Sequence, residues 1–152
     1  MKKVLFVCLG NICRSPMGEG ALLKILDDKE RKDIAVDSAG TSAYHVGQRA
    51  DGRMRKMAMS YGINLKSRAR QVEVEDFEKF DYIIAMDKKN YVELDQMKNE
   101  DNRAKLVLMR AYDEDDLFKD VPDPYYGGKS GFEEVYQIVM RSCEKFYNDE
   151  LV

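Results

Sequence analysis

The stretch Val4-Leu5-Phe6-Val7-Cys8-Leu9-Gly10-Asn11-Ile12-Cys13-Arg14-Ser15-Pro16 decides the fold. Its first four residues form a continuous apolar run, as expected of a strand buried on both faces of a parallel sheet. Pro16 suits a first helical position, and Met17, Ala21, Leu22, Ile25 and Leu26 then recur at helical spacing. A strand, a short polar loop and a helix begin a βαβ unit.

Further along, Ile34-Ala35-Val36 reads as a second strand, with Ala39-Gly40-Thr41-Ser42 as the turn leaving it. Met54, Met57, Ala58 and Tyr61 mark a second helix, closed by Gly62. A third strand covers 82–86, and Asp87 caps a helix carrying Tyr91, Leu94 and Met97 on one face. A fourth strand follows over 105–109. From Arg110 to Ser130 the chain is acidic and rich in Pro and Gly, too long for a simple connector. Phe132, Val135, Tyr136, Val139, Cys143 and Phe146 stripe the last helix, where Cys143 is a packing residue. The pattern predicts an α/β fold: one domain over residues 1–152, a four-stranded parallel sheet with helices on both faces, Rossmann-like or flavodoxin-like. Ligands then bind beyond the strand C-termini, where the loop after strand 1 lies.

Composition agrees with one folded unit. The 152 residues are 44% hydrophobic and 35% charged, with a formal net charge of -3 and basic residues interleaved with acidic ones, so nucleic acid is not an expected partner. No stretch approaches the ~20 apolar residues of a membrane helix. Three cysteines, two of them five apart, do not form a secreted disulfide framework and point to a cytoplasmic protein. The single histidine, His45, has no companion cluster, so neither a metal nor a cofactor is expected.

The loop from Cys8 to Ser15 leads into a helix N-terminus, whose unpaired N–H groups favour a phosphate or similar oxyanion. Gly10 is expected to supply the positive φ of an anion nest, a conformation Asn11 also tolerates. A thiol over such a nest is favoured as the nucleophilic thiolate, which makes Cys8 the nucleophile. Arg14 offers a planar fork that grips two phosphoryl oxygens at once. Ser15 either donates to the sulfur or merely caps the helix. Expelling an alkoxide or phenoxide also needs a proton donor, and among the loop carboxyls Asp113, Asp115, Asp116, Asp120 and Asp123 compete for that task.

Residues 7–16 resemble the signature of the low-molecular-weight protein tyrosine phosphatases. The similarity continues in Val36-Asp37-Ser38-Ala39-Gly40-Thr41, in Phe80-Asp81-Tyr82-Ile83 with Met86-Asp87, and in Val121-Pro122-Asp123-Pro124-Tyr125-Tyr126. The resemblance implies hydrolysis of protein phosphotyrosine through a phosphocysteine on Cys8, with Arg14 clamping and Asp123 as general acid, then base. It implies phosphate binding by Leu9, Gly10, Asn11, Ile12, Cys13 and Arg14. A pocket of Leu9, Ile12, Tyr44, His45, Tyr125 and Tyr126 would follow, with Asn11, Ser15 and Ser38 supporting the loop. It further suggests a reversible disulfide between Cys13 and Cys8 and phosphorylation of the tyrosine pair. Some relatives carry a supporting histidine where this chain has Ser67.

Three other readings compete. Arsenate reductases share the loop but need resolving cysteines downstream, and none lies between Cys13 and Cys143. Protein arginine phosphatases typically have threonine at the position of Ile12, so Ile12 and Tyr125 favour an aryl phosphate. A phosphocysteine carrier of sugar transport would need no Arg14 paired with Asp123.

Overall fold

The computed structural model describes residues 1–125 and 129–152, with side chains of the latter stretch from residue 131 onward. Tyr126 therefore lies outside the described residues. Four strands, β1 (Lys2–Cys8), β2 (Ile34–Gly40), β3 (Tyr82–Ala85) and β4 (Lys105–Leu108), form one parallel sheet in the order β2-β1-β3-β4. Helices α1 (Arg14–Asp28), α2 (Gly52–Ser60), α3 (Asp76–Lys79), α4 (Lys88–Met97) and α5 (Lys129–Phe146) connect and cover it.

The central strand shows why both faces are covered. Val4 and Phe6 enter one core with Met17, Leu22, Phe132, Val139 and Phe146 from α1 and α5, whereas Leu5 and Val7 enter the other with Phe77 of α3 and Leu94 of α4. Side chains alternate across a strand, so a strand buried on both faces must be apolar throughout. All four residues of Val4–Val7 are 0% exposed.

Several boundaries differ from the sequence expectation, among them β1, which is longer at both ends, and β3, which stops at Ala85 and not at Met86. α1 begins at Arg14, which places Pro16 third in the first turn, where the missing N–H still costs nothing. β2 continues through Asp37, Ser38 and Ala39 to Gly40, because these residues pair in register with Leu5 to Cys8 of β1. The chain leaves β4 at Leu108 into a 3-10 turn over Met109–Tyr112. α2 ends as expected, with Gly62 at φ 78 just past the cap Tyr61. Among the described residues no helix is long and apolar enough to cross a membrane.

With β1 central, the connection to β2 runs one way and the return to β3 the other. That topological switch opens a crevice at the C-terminal ends of β1 and β3. Cys8 stands at the end of β1, beside it.

Candidate active site

The loop after β1 is shaped from behind. Thr41 N–H donates to the Cys8 carbonyl at 2.9 Å and Ser42 N–H to the Leu9 carbonyl at 3.0 Å, which turns the carbonyls away from the crevice. A Cβ at Gly40 would stand 2.7 Å from the Leu9 oxygen, so that approach requires glycine. The positive φ falls on Asn11, at 57°, and not on Gly10. Gly10 gives the His45 ring room instead: a Cβ there would lie 2.9 Å from His45 Cδ2 unless that ring moved.

Asn11 is held in its left-handed conformation by both ends of its amide. Oδ1 accepts from Arg70 N–H at 3.0 Å, and Nδ2 donates to Ser15 Oγ at 2.8 Å. This leaves the Asn11 backbone N–H directed at Cys8 Sγ, 3.3 Å away. Ser15 Oγ lies 3.0 Å from the same sulfur and 3.3 Å from the Ala39 carbonyl. Because Asn11 already donates to Oγ, the serine proton has two acceptors in reach, the Ala39 carbonyl and the Cys8 sulfur, and a thiolate is the closer of them. Arg70 is fixed in turn by Asp76, at 3.0 and 3.1 Å, and by Asp37 at 3.1 Å.

Arg14 is 3% exposed. Its Nη1 donates to Asp87 Oδ2 at 2.6 Å and to the Val121 carbonyl at 3.1 Å. Burial opposes its charge, but Cys8, Asp87 and Asp123 hold the guanidinium above its ordinary range. Asp87, expected only as the α4 cap, thus serves twice, since its Oδ1 also accepts from Asn90 N–H at 2.7 Å. Arg14 Nη2 faces Asp123 Oδ2 at 3.6 Å. The other oxygen of Asp123 accepts from Tyr125 N–H at 3.0 Å.

Cys8, Arg14 and Asp123 line a cavity of about 160 Å³ walled by Leu9, Ile12, Tyr44, His45 and Tyr125. The His45 and Tyr125 rings lie with centroids 6.0 Å apart, tilted by 46°. Tyr44 is 81% exposed at the rim. Cys13 also reaches the cavity; burial, then Asp51 and Cys8, push its thiol well up, so it stays protonated at neutral pH. All three cysteines are free thiols.

The hydroxyl of Ser38 donates to Glu19 Oε1 at 2.5 Å, not to the loop. Ser67 hydrogen-bonds the same carboxyl. Glu19 carried no sequence signal beyond a helical position. Burial pushes its pKa up, outweighing the two serines, and Asp37 adds to the rise. A carboxyl raised in the fold contributes fully below its unfolded value, and that contribution is lost as pH rises through the folded value. Glu19→Gln keeps the acceptor for Ser38 without the charge. The variant should gain a few degrees of Tm at pH 7.5 and nothing near pH 4, measured by thermal melts across that range.

The chain matches the family model for low molecular weight phosphotyrosine protein phosphatase over residues 3–151. It is 43% identical over 148 residues to the mouse protein of that name, covering 95% of this chain and 93% of that one. A protein tyrosine phosphatase from Entamoeba histolytica, solved with Hepes in its active site, superposes with TM-score 0.93 at 44% identity, covering 97% and 96% of the two chains. A Drosophila arginine phosphatase superposes with TM-score 0.92 at 34% identity, covering 100% and 99%.

Proposed function

The chain belongs to the low molecular weight phosphotyrosine protein phosphatase family, and from that premise we infer how its own residues divide the work. The family reaction is hydrolysis of phosphotyrosine through a cysteinyl phosphate, and Cys8 and Arg14 are its nucleophile and clamp. In the first step Cys8 Sγ attacks phosphorus, the P–O bond to tyrosine breaks, and Asp123 gives its proton to the departing oxygen. In the second, the Asp123 carboxylate takes a proton from water, whose oxygen attacks phosphorus while the P–S bond breaks. Sulfur leaves as thiolate toward the Asn11 N–H and Ser15 hydroxyl, and inorganic phosphate departs.

The observation that carries this reading is the reach of one guanidinium. Arg14 joins a loop holding Cys8 to the loop holding Asp123, 3.6 Å from its carboxylate. An oxyanion bound between them meets donors at its base and a carboxyl at its exposed edge. Pro124 biases Asp123 toward an extended backbone, and the Tyr125 N–H fixes one carboxylate oxygen, leaving the other toward Arg14.

The substrate side of the reading is a protein phosphotyrosine. Leu9, Ile12, Tyr44 and Tyr125 supply apolar surface for an aromatic ring. A phosphoserine would leave that surface wet. A nucleophile that must stay reduced fits a cytoplasmic setting, and the matched span of 3–151 supports a single catalytic domain. Peptides carrying phosphotyrosine, phosphoserine or phosphoarginine in one sequence test this. Phosphotyrosine should be cleaved at least tenfold faster than either; a phosphoarginine preference would reassign the enzyme toward its arginine phosphatase neighbour.

Asp123→Asn tests the acid. Turnover of phosphotyrosine, a poor leaving group, should fall about 10²–10³-fold. Nitrophenyl phosphate, whose phenoxide needs little protonation, should lose far less. Equal losses would remove Asp123 from the role.

A further inference from the structure

Asp123 sits on a loop that lacks regular structure from Asp113 to Pro124, yet one buried cation fastens that loop. Arg110, in the 3-10 turn, is 6% exposed. Its Nε donates to Asp113 Oδ2 at 2.8 Å, its Nη2 pairs with Asp116 at 3.1 Å, and its Nη1 donates to the Asp120 carbonyl at 2.9 Å. Its own carbonyl accepts from Phe118 N–H at 2.9 Å, at a residue with φ 63. One side chain and its backbone thus hold four points of the loop.

From Asp120 the path to the chemistry is short. Asp120 Oδ1 accepts from Lys88 N–H at 2.9 Å. Val121 N–H donates to the Met86 carbonyl at 2.9 Å, and the Val121 carbonyl accepts from Arg14 Nη1. Asp123 follows two residues later. If the Asp120 carbonyl lost its guanidinium, the stretch leading to the acid would be held only by the bonds to Lys88, Met86 and Arg14.

We propose that Arg110 is a positioning residue that sets Asp123 for proton transfer; this rests on Asp123 being the general acid. Arg141 of α5 provides the contrast. It grips Asp113 from the opposite side, at 2.8 and 3.0 Å, and touches nothing between Asp116 and Asp123 among the described contacts. Asp113 is 0% exposed, so losing either arginine strips a buried carboxylate of one partner and destabilises the fold. Only Arg110 also carries the Asp120 carbonyl.

The experiment compares Arg110→Met, Arg110→Lys and Arg141→Met on phenyl phosphate and nitrophenyl phosphate. Arg110→Met should lose about ten- to a hundredfold in kcat on phenyl phosphate, the scale of a misplaced catalytic group, and less than about threefold on nitrophenyl phosphate. Arg110→Lys keeps the charge but cannot span three partners, so it should show part of the same selective loss and serves if the Met variant does not fold. Arg141→Met should lower Tm without that selectivity. In an Asp123→Asn background the Arg110 substitutions should add no leaving-group dependence. Selectivity in Arg141→Met, none in either Arg110 variant, or selectivity persisting without Asp123 would overturn the proposal. Equal losses in Asp123→Asn alone would instead remove the acid assignment, and the proposal with it.

Discussion

Cys8→Ser is expected to lower phosphatase turnover by about 10⁴-fold or more, on the scale seen when a covalent nucleophile is removed. The reason lies in what surrounds Sγ. Its hydrogen-bonding neighbours are the Asn11 N–H at 3.3 Å and Ser15 Oγ at 3.0 Å, groups that stabilise an anion and do not take a proton. A serine hydroxyl in that place has no base to activate it, whereas a thiol can be present as thiolate beforehand. The nest that binds the phosphoryl oxygens is built from backbone and Arg14, so it survives the substitution. Phosphate titrated into the variant by calorimetry should bind within a few-fold of the wild type. Activity within tenfold of wild type would sink the cysteinyl-phosphate route. Iodoacetate with wild type should label Cys8 ahead of Cys13, because burial keeps the Cys13 thiol protonated.

What the sequence disclosed follows from how far each contact reaches along the chain. The buried strands were legible because Val4–Val7 and 82–85 must be apolar on both sides, a local pattern. The last helix was legible because Phe132, Val139, Cys143 and Phe146 bury one face at helical spacing. α3 was not, since four residues carry too little periodicity. Asp37 and Ser38 fall between the strand legible over 34–36 and the turn legible over 39–42, because their partners, Arg70 and Glu19, stand 33 and 19 residues away.

The site divides in the same way. Cys8, Arg14 and Ser15 lie within eight residues, so the loop was readable at once, although its positive φ belongs to Asn11 and its glycine serves clearance. The acid needed the resemblance, because the run from Asp113 to Asp120 offered chemically equal carboxyls. Structure separates them by position: of the five only Asp123 lines the cavity beside Cys8 and Arg14, whereas Asp113 is enclosed between Arg110 and Arg141, which outweigh its desolvation and lower its pKa. A buried aspartate already held by two cations is poorly suited to exchange protons with a substrate. The supports Glu19, Arg70 and Asp87 stayed hidden because each acts through a partner at least 19 residues away, and Arg110 because its nearby partners follow no regular spacing.

Arg14→Lys should cost about 10²–10³-fold in kcat while the fold persists, an effect comparable to losing one preorganised donor to a developing charge. The guanidinium spends Nη1 on Asp87 and the Val121 carbonyl, and those bonds orient the remaining edge toward the cavity. An ammonium placed to pair with Asp87 has no second, coplanar donor to offer the phosphoryl group. The interaction lost is the one that grows as charge moves onto the equatorial oxygens, so kcat should fall much more than KM rises. Arg14→Met goes further, because it also leaves Asp87 beside a desolvated gap and removes the donor that fastens Val121. Its Tm should drop by several degrees, whereas Arg14→Lys should hold within a few. Steady-state kinetics on nitrophenyl phosphate, with melts of both variants, separates the two effects. A lysine variant with kcat within threefold of wild type would mean that charge alone suffices and that the fork geometry contributes nothing.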